Sequence, residues 1–219
     1  MDPTEDQKRA AAQAAAMEVR NGARVGLGTG STVAHFLAAL GSRHLDLICV
    51  ATSPATEEVA RAVGLTVQTF DLVDHLDVAV DGADQVGPDL WLVKGGGGAH
   101  TREKVVAAAA DRFVVIVSAN KLVDRVGPPV PLEVLRFGLQ ATLRLLGDLG
   151  PVAVREGAPP TPDGNLIVDF LGPVADPAQL AAALAAAPGV VEHGLFRPEL
   201  VSTVMVGRPD GSVDRLSGR

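Results

Sequence analysis

The 219-residue sequence predicts an α/β protein, with a mostly parallel sheet in one domain and a second, smaller α+β domain. Two observations carry this. Short apolar runs alternate with helix-forming segments through the first half of the chain, as expected when helices cover a parallel sheet. From Gly127-Pro-Pro-Val-Pro131 the texture changes to helix, strand, strand, helix, strand, which suits a compact α+β unit. The predicted domains are therefore 1–127 plus 207–219, and 128–206.

Taken in order, residues 4–20 hold Ala, Met and Val at helical spacing, with Thr4 as candidate N-cap and Asn21-Gly22 as the stop. A strand at 24–27 runs into Gly28-Thr-Gly-Ser-Thr32 and a helix over 33–40. Strands follow at 45–51 and 65–70, with a helix between them over 57–63. The run 78–80 leads to Asp81-Gly-Ala-Asp84. The run 90–93 leads to Lys94-Gly-Gly-Gly-Gly-Ala-His100, which opens a helix over 101–110. The apolar strand 113–117 ends in Ser118-Ala-Asn-Lys121. Beyond the proline cluster the pattern predicts a helix over 132–149 and strands near 152–155 and 166–170. A helix over 178–187 and strands near 190–192 and 200–206 come next. A last strand near 213–216 is expected to return to the first sheet.

Bulk properties narrow the function. Hydrophobic residues make up 47% of the chain, enough for a sizeable core. The net charge of −7 argues against a general nucleic-acid binder, which presents a basic surface. No uncharged apolar run is long enough for a membrane span, and Asp2, Glu5 and Asp6 near the start do not suit a secretion signal. Cys49 is the single cysteine and lies in the apolar run Leu47-Ile-Cys-Val50, as an inert buried thiol would. A cytoplasmic protein is expected.

Four strand ends carry the polar residues, and in open α/β sheets ligands bind beyond the carboxyl ends of the strands. Gly28-Thr-Gly-Ser-Thr32 resembles a phosphate cradle, with backbone amides and hydroxyls at a helix start. It is neither a full dinucleotide fingerprint nor a P-loop. Asp81 and Asp84 place two carboxylates after a strand. Lys94 with its four glycines brings a cation and an amide nest together. Glu103 stands in the first turn of the following helix, where an acid also complements the helix dipole. Such a set would hold an anion and move protons. The five histidines show no paired ligand spacing, so no metal is expected.

The motifs Gly26-Leu-Gly-Thr-Gly-Ser-Thr-Val33, Asp81-Gly-Ala-Asp84, Lys94-Gly-Gly-Gly-Gly-Ala and Thr101-Arg-Glu-Lys104, in this order, resemble ribose-5-phosphate isomerases of the A type. Later segments, Gly189-Val-Val, His193-Gly-Leu-Phe196 and Gly207-Arg-Pro-Asp-Gly211, extend the resemblance over nearly the whole chain. It implies a Rossmann-like domain with a smaller α+β domain, a homodimer or homotetramer, and the interconversion of D-ribose 5-phosphate and D-ribulose 5-phosphate without metal or organic cofactor. It implies Glu103 as the proton-shuttling base, with Asp81, Asp84 and Lys94 as the other catalytic groups. It also implies substrate contacts from Thr29, Gly30, Ser31, Thr32, Gly82, Ala83, Gly95, Gly96, Gly97 and Lys121. The sequence departs from the family pattern at His100, at Ala51-Thr-Ser53 and at Asn120. Two other classes share part of the pattern. A sugar-phosphate-sensing module would not need Glu103, Lys94 and Asp81. A coenzyme A transferase-like enzyme would use a glutamate as nucleophile.

Overall fold

The computed structural model describes residues 4–217. In chain order its first elements are α1 (Glu5–Glu18), β1 (Arg24–Leu27), α2 (Ser31–Gly41), β2 (Ile48–Ala51), α3 (Pro54–Ala62), β3 (Val78–Asp81), β4 (Gln85–Val86), β5 (Leu92–Val93), α4 (His100–Ala108) and β6 (Phe113–Ser118). Then come β7 (Val130–Val134), α5 (Leu139–Gly147), β8 (Val152–Val154), β9 (Leu166–Phe170), α6 (Pro177–Ala186), β10 (Val190–His193), β11 (Leu195–Phe196), β12 (Thr203–Gly207) and β13 (Val213–Leu216).

The chain forms two compact units. The first runs to Ala83, takes up Arg102–Leu122, and resumes at Pro198. Its sheet has the order β13-β12-β6-β3-β1-β2, parallel from β2 to β12, with β13 antiparallel at the edge. Strands β3 and β6 are buried along their whole length, which is why they read as unbroken apolar runs. Ala11 and Ala15 of α1 and Val33, Phe36 and Leu40 of α2 pack with Val25, Leu27, Val80 and Ile116 of the sheet. The strand order turns back at β1, with β2 on one side and β3 on the other. The carboxyl ends of β1 and β3 therefore flank a topological switch point.

The second unit comprises Asp84–Thr101 and Val123–Arg197. It holds an antiparallel sheet ordered β10-β7-β9-β8 and a small antiparallel sheet ordered β11-β5-β4. Val130, Leu132, Val134, Val168 and Phe170 pack with Leu146 of α5 and Leu184 of α6.

Several expectations change. Residues 132–149 are not one helix: Leu132 and Val134 lie in β7, and α5 starts only after Gly138, which has φ +69°. The alternation of Val130, Leu132 and Val134 is a strand signal that the helix-forming residues after it outweighed. Residues 65–70 give only a bridge from Val67 to Cys49. The last strand does return to the first sheet, paired with β12. The proline cluster as boundary predicts 84–101 in the first domain, whereas this segment belongs to the second unit. Its backbone bonds explain this: β5 pairs with β11, and the Lys94 N–H donates to the Gly194 carbonyl at 2.9 Å. Residues 198–206, also read as part of the second domain, belong to the first unit through β12.

Candidate active site

In the first unit the site builds from the switch point. Asp81 ends β3 and is 3% exposed. Its Oδ1 accepts the N–H of Thr29 at 3.1 Å and of Gly82 at 2.7 Å. A Cβ on Gly28 would lie 2.0 Å from this carboxylate, so only glycine lets the β1 turn approach it. The Thr29 hydroxyl joins Thr52 and Ser53, each at 2.9 Å, and Thr56 at 3.2 Å. Thr56 in turn donates to the Gly28 carbonyl at 2.8 Å. The structure thus uses Thr29 to hold the turn, and it leaves Gly30 and Ser31 exposed at the start of α2 with Thr32 half-buried. Those amides and hydroxyls stand at the N-terminal end of a helix, the end whose dipole suits an anion. Lys121 follows β6, next to β3 in the sheet, and therefore stands at the same sheet end.

Glu103 is 5% exposed in the first turn of α4. The helix direction follows from its far end: the Ala109 carbonyl accepts the Leu76 N–H, just before β3 begins. So α4 runs antiparallel to the strands and starts at their carboxyl ends. Val106 touches β1, where a Cβ on Gly26 would meet its Cγ1 at 2.4 Å. Glu103 lies three residues earlier on the same helix face, one turn nearer the Gly28 level.

In the second unit Lys94 follows β5 and is 3% exposed, with Nζ 5.4 Å from the centre of the Phe196 ring. Asp84 donates its N–H to the Val93 carbonyl at 2.8 Å, and its Oδ2 accepts the Gly96 N–H at 2.8 Å. The Gly98 N–H turns back to the Gly95 carbonyl at 3.1 Å. The amides of Gly96, expected to contact substrate, and of Gly98 are therefore committed within the loop. Gly95 has φ +105°, and a Cβ there would sit 2.6 Å from His100 Nδ1. His100 is fully buried, and its Nε2 lies 3.3 Å from the Glu192 carbonyl. It packs beneath the loop. Gly97 is exposed, and Gly82 and Ala83 are half-buried in the turn between Asp81 and Asp84.

Sequence reasoning missed three charged residues of the second unit. Glu133 is fully buried on β7 and accepts hydrogen bonds from Thr101, Thr161 and Asn165. Arg155 forms a bidentate pair with Asp169 and donates to the Gly95 and Gly96 carbonyls at 3.1 and 3.0 Å. An acid inside the apolar run Val130-Pro-Leu-Glu-Val134 was the one available signal. Lys8 pairs with Glu5 at 2.7 Å. Cys49 is buried, and burial pushes its thiol up to about 12, as an inert thiol requires. Among the described residues, His75, Asp77 and Asp111 could meet a cation. They are exposed, and Asp77 precedes β3, at the opposite strand end from Asp81. Asp77 also accepts the Arg24 N–H at 2.6 Å, and His75 pairs with Asp111 at 3.1 Å.

Residues 48–211 match the family model of ribose 5-phosphate isomerase A (phosphoriboisomerase A). A ribose-5-phosphate isomerase A of Rhodopseudomonas palustris (strain HaA2) is 48% identical, covering 94% of this chain and 96% of its own. That of Roseiflexus castenholzii is 45% identical, covering 94% of each. The structure of ribose 5-phosphate isomerase A from Methanocaldococcus jannaschii superposes with a TM-score of 0.93 at 36% identity, over 98% of this chain and 99% of that one. A D-ribose-5-phosphate isomerase in complex with phospho-erythronic acid superposes with a TM-score of 0.90 at 35% identity, over 96% of this chain and 97% of that one. No helix among the described residues is long and apolar enough to cross a membrane.

Proposed function

The chain belongs to the ribose 5-phosphate isomerase A family, and on that premise we propose that Glu103, Asp81, Asp84 and Lys94 act together on one molecule of D-ribose 5-phosphate. The reaction is its interconversion with D-ribulose 5-phosphate. Covalent connection supports the grouping. Asp81 and Asp84 are three residues apart, a span of at most about 11 Å. Lys94 and Glu103 flank one glycine loop.

The observation that carries the reading is burial. Asp81, Lys94 and Glu103 are 3%, 3% and 5% exposed, although burying charged groups is costly and apolar residues would serve stability better. Glu103 removes the proton from carbon 2 of the open sugar and returns it to carbon 1 on the same face. The negative charge that develops on the enediolate is met by Lys94 and the glycine-loop amides. Asp81 is held by two N–H donors with its carboxylate at the sheet end, and it serves ring opening. Asp84 anchors the loop through Gly96. Ser31, Thr32, the amides at the start of α2 and Lys121 take the phosphate.

No metal or organic cofactor takes part in this reading. The enzyme works in the cytoplasm, in the non-oxidative pentose phosphate pathway, as a homodimer or homotetramer. Apolar groups exposed on the second unit support an assembled state: Phe137 is 91% exposed, with Leu135 and Val191 beside it in exposure at 42% and 41%. Purified protein should convert ribose 5-phosphate to ribulose 5-phosphate, and failure to do so in a folded sample would overturn the assignment. Light scattering should report two or four chains per particle.

A further inference from the structure

We propose that Arg155, braced by Asp169, is a positioning residue that sets the catalytic conformation of the glycine loop. The inference rests on the reading above that this loop serves the enediolate. Along β7, β8 and β9 the residues alternate between two faces. Val130, Leu132, Val134, Val168 and Phe170 point to the core of the second unit. The intervening residues form the other face, and the loop lies on it. A Cβ on Gly95 would meet Pro131 at 2.9 Å, and one on Gly98 would meet Ile167 at 3.5 Å. Arg155 extends this face, since its N–H continues the ladder to the Ile167 carbonyl at 2.9 Å. Asp169 stands on the diagonal, opposite Ala153.

The guanidinium has a fixed fork of donors. One edge is taken by the two Asp169 oxygens. The remaining nitrogen, Nη1, reaches the Gly95 and Gly96 carbonyls at 3.1 and 3.0 Å. In a trans peptide the N–H points opposite to its carbonyl. The peptide between Gly95 and Gly96 is thus gripped at both ends, by Arg155 at the carbonyl and by Asp84 at the amide. Gripping the Gly96 carbonyl turns the Gly97 N–H away from the sheet, on an exposed residue. Four glycines in a row have little conformational preference of their own, so the direction of that amide depends on this grip. The pair itself is partly open to solvent, at 24% and 17% side-chain exposure. A bidentate pair can add to folding stability as well, so the positioning role is read from kcat in the folded enzyme.

The test is a set of variants of the full-length enzyme: Arg155→Met, Arg155→Lys and Asp169→Asn. Each should lose about 10- to 100-fold in kcat, the range for misplacing a preorganised group, with KM changed by less than about threefold. Inhibition by phospho-erythronic acid, whose planar carboxylate spreads negative charge as an enediolate does, should weaken by a similar factor. Lysine should rescue little, because an ammonium cannot hold a carboxylate bidentately and reach two carbonyls at once. A merely structural pair would lower the melting temperature and leave kcat and inhibition unchanged in the folded protein, and that result would overturn the proposal. If Arg155→Met does not fold, Asp169→Asn decides alone. Glu103→Gln, assayed alongside, separates the two readings. Full turnover in that variant sinks the site assignment, whereas an inactive Glu103→Gln beside a fully active Arg155→Met sinks only the role of Arg155.

Discussion

Replacing Gly28 by alanine tests whether Asp81 is held where the reaction needs it. The added Cβ would lie 2.0 Å from both Cγ and Oδ1 of Asp81 and 2.5 Å from its Cβ. Carbon atoms at rest sit about 3.5–4.0 Å apart, so roughly 1.5 Å of movement is needed. Rotating the carboxylate does not suffice, because the Asp81 Cβ is crowded too. The acid must leave its place, which breaks at least one of its hydrogen bonds from Thr29 and Gly82. Overpacking costs about 1–3 kcal/mol, and a hydrogen bond to a charged group is worth about 1.5–3 kcal/mol. Loss of one such bond brings the sum to about 2.5–6 kcal/mol. At about 2–4 °C per kcal/mol for a chain of this size, the melting temperature should fall by roughly 5–24 °C. The surviving folded enzyme should also lose turnover, because the displaced acid is the one assigned to ring opening. Gly147→Ala is the control: it closes α5, a Cβ there meets nothing within 4 Å, and a gain of about 0.4–1 kcal/mol is expected. Calorimetry and steady-state kinetics read both effects. A Gly28→Ala enzyme melting within about 2 °C of the wild type, with unaltered kcat, would refute the reasoning.

Three further outcomes are expected. Glu103→Gln should cut kcat by at least about 10²–10⁴ with little change in KM, and should stop exchange of the carbon-bound proton with deuterated solvent; a folded variant retaining more than about a tenth of kcat removes Glu103 as the base. Lys121→Ala should raise KM by roughly 10- to 150-fold while kcat holds, the worth of a charge-assisted hydrogen bond, and an unchanged KM would move the phosphate elsewhere. For Cys49 the folded pKa is raised from 9.0 to about 12, so the unfolded thiol ionises first as pH rises. The contribution is complete below about pH 9 and is lost towards pH 12, so wild-type stability should fall more steeply over that window than that of Cys49→Ala. Parallel curves for the two proteins contradict this.

The parallel sheet was legible because its strands are covered on both faces and read as apolar runs: Phe113–Ser118 is buried throughout. The short partner strands were not. Leu92–Val93 lies in the run read as the strand before the loop, but its antiparallel partners Gln85–Val86 and Leu195–Phe196 are two residues each, too short for a period to show. Without them the glycine loop looked like one more strand end of the main sheet, when its lysine follows β5 of a separate antiparallel sheet. The start of β7 was lost to the helix-forming run after it, since a five-residue alternation competes poorly with a longer pattern.

The residues found and the residues missed divide for a single physical reason. A strand of a parallel sheet buried on both faces cannot spend interior positions on charge, so the first unit carries its polar groups where strands end. Those positions are announced in sequence by glycines and by breaks in an apolar run, as at Gly28 and after Asp81. An antiparallel sheet needs only one face for its core, and its other face can carry polar residues within the strands. Arg155, Asp169 and Glu133 stand on such a face, and in sequence they look like the polar half of an ordinary alternation. What sets them apart is their partners: loop carbonyls 59 and 60 residues away for Arg155, and Thr101, 32 residues away, for Glu133. A relation of that range has no local pattern, and only the fold, which lays the glycine loop on that face, joins Arg155 to the loop carbonyls and Glu133 to Thr101.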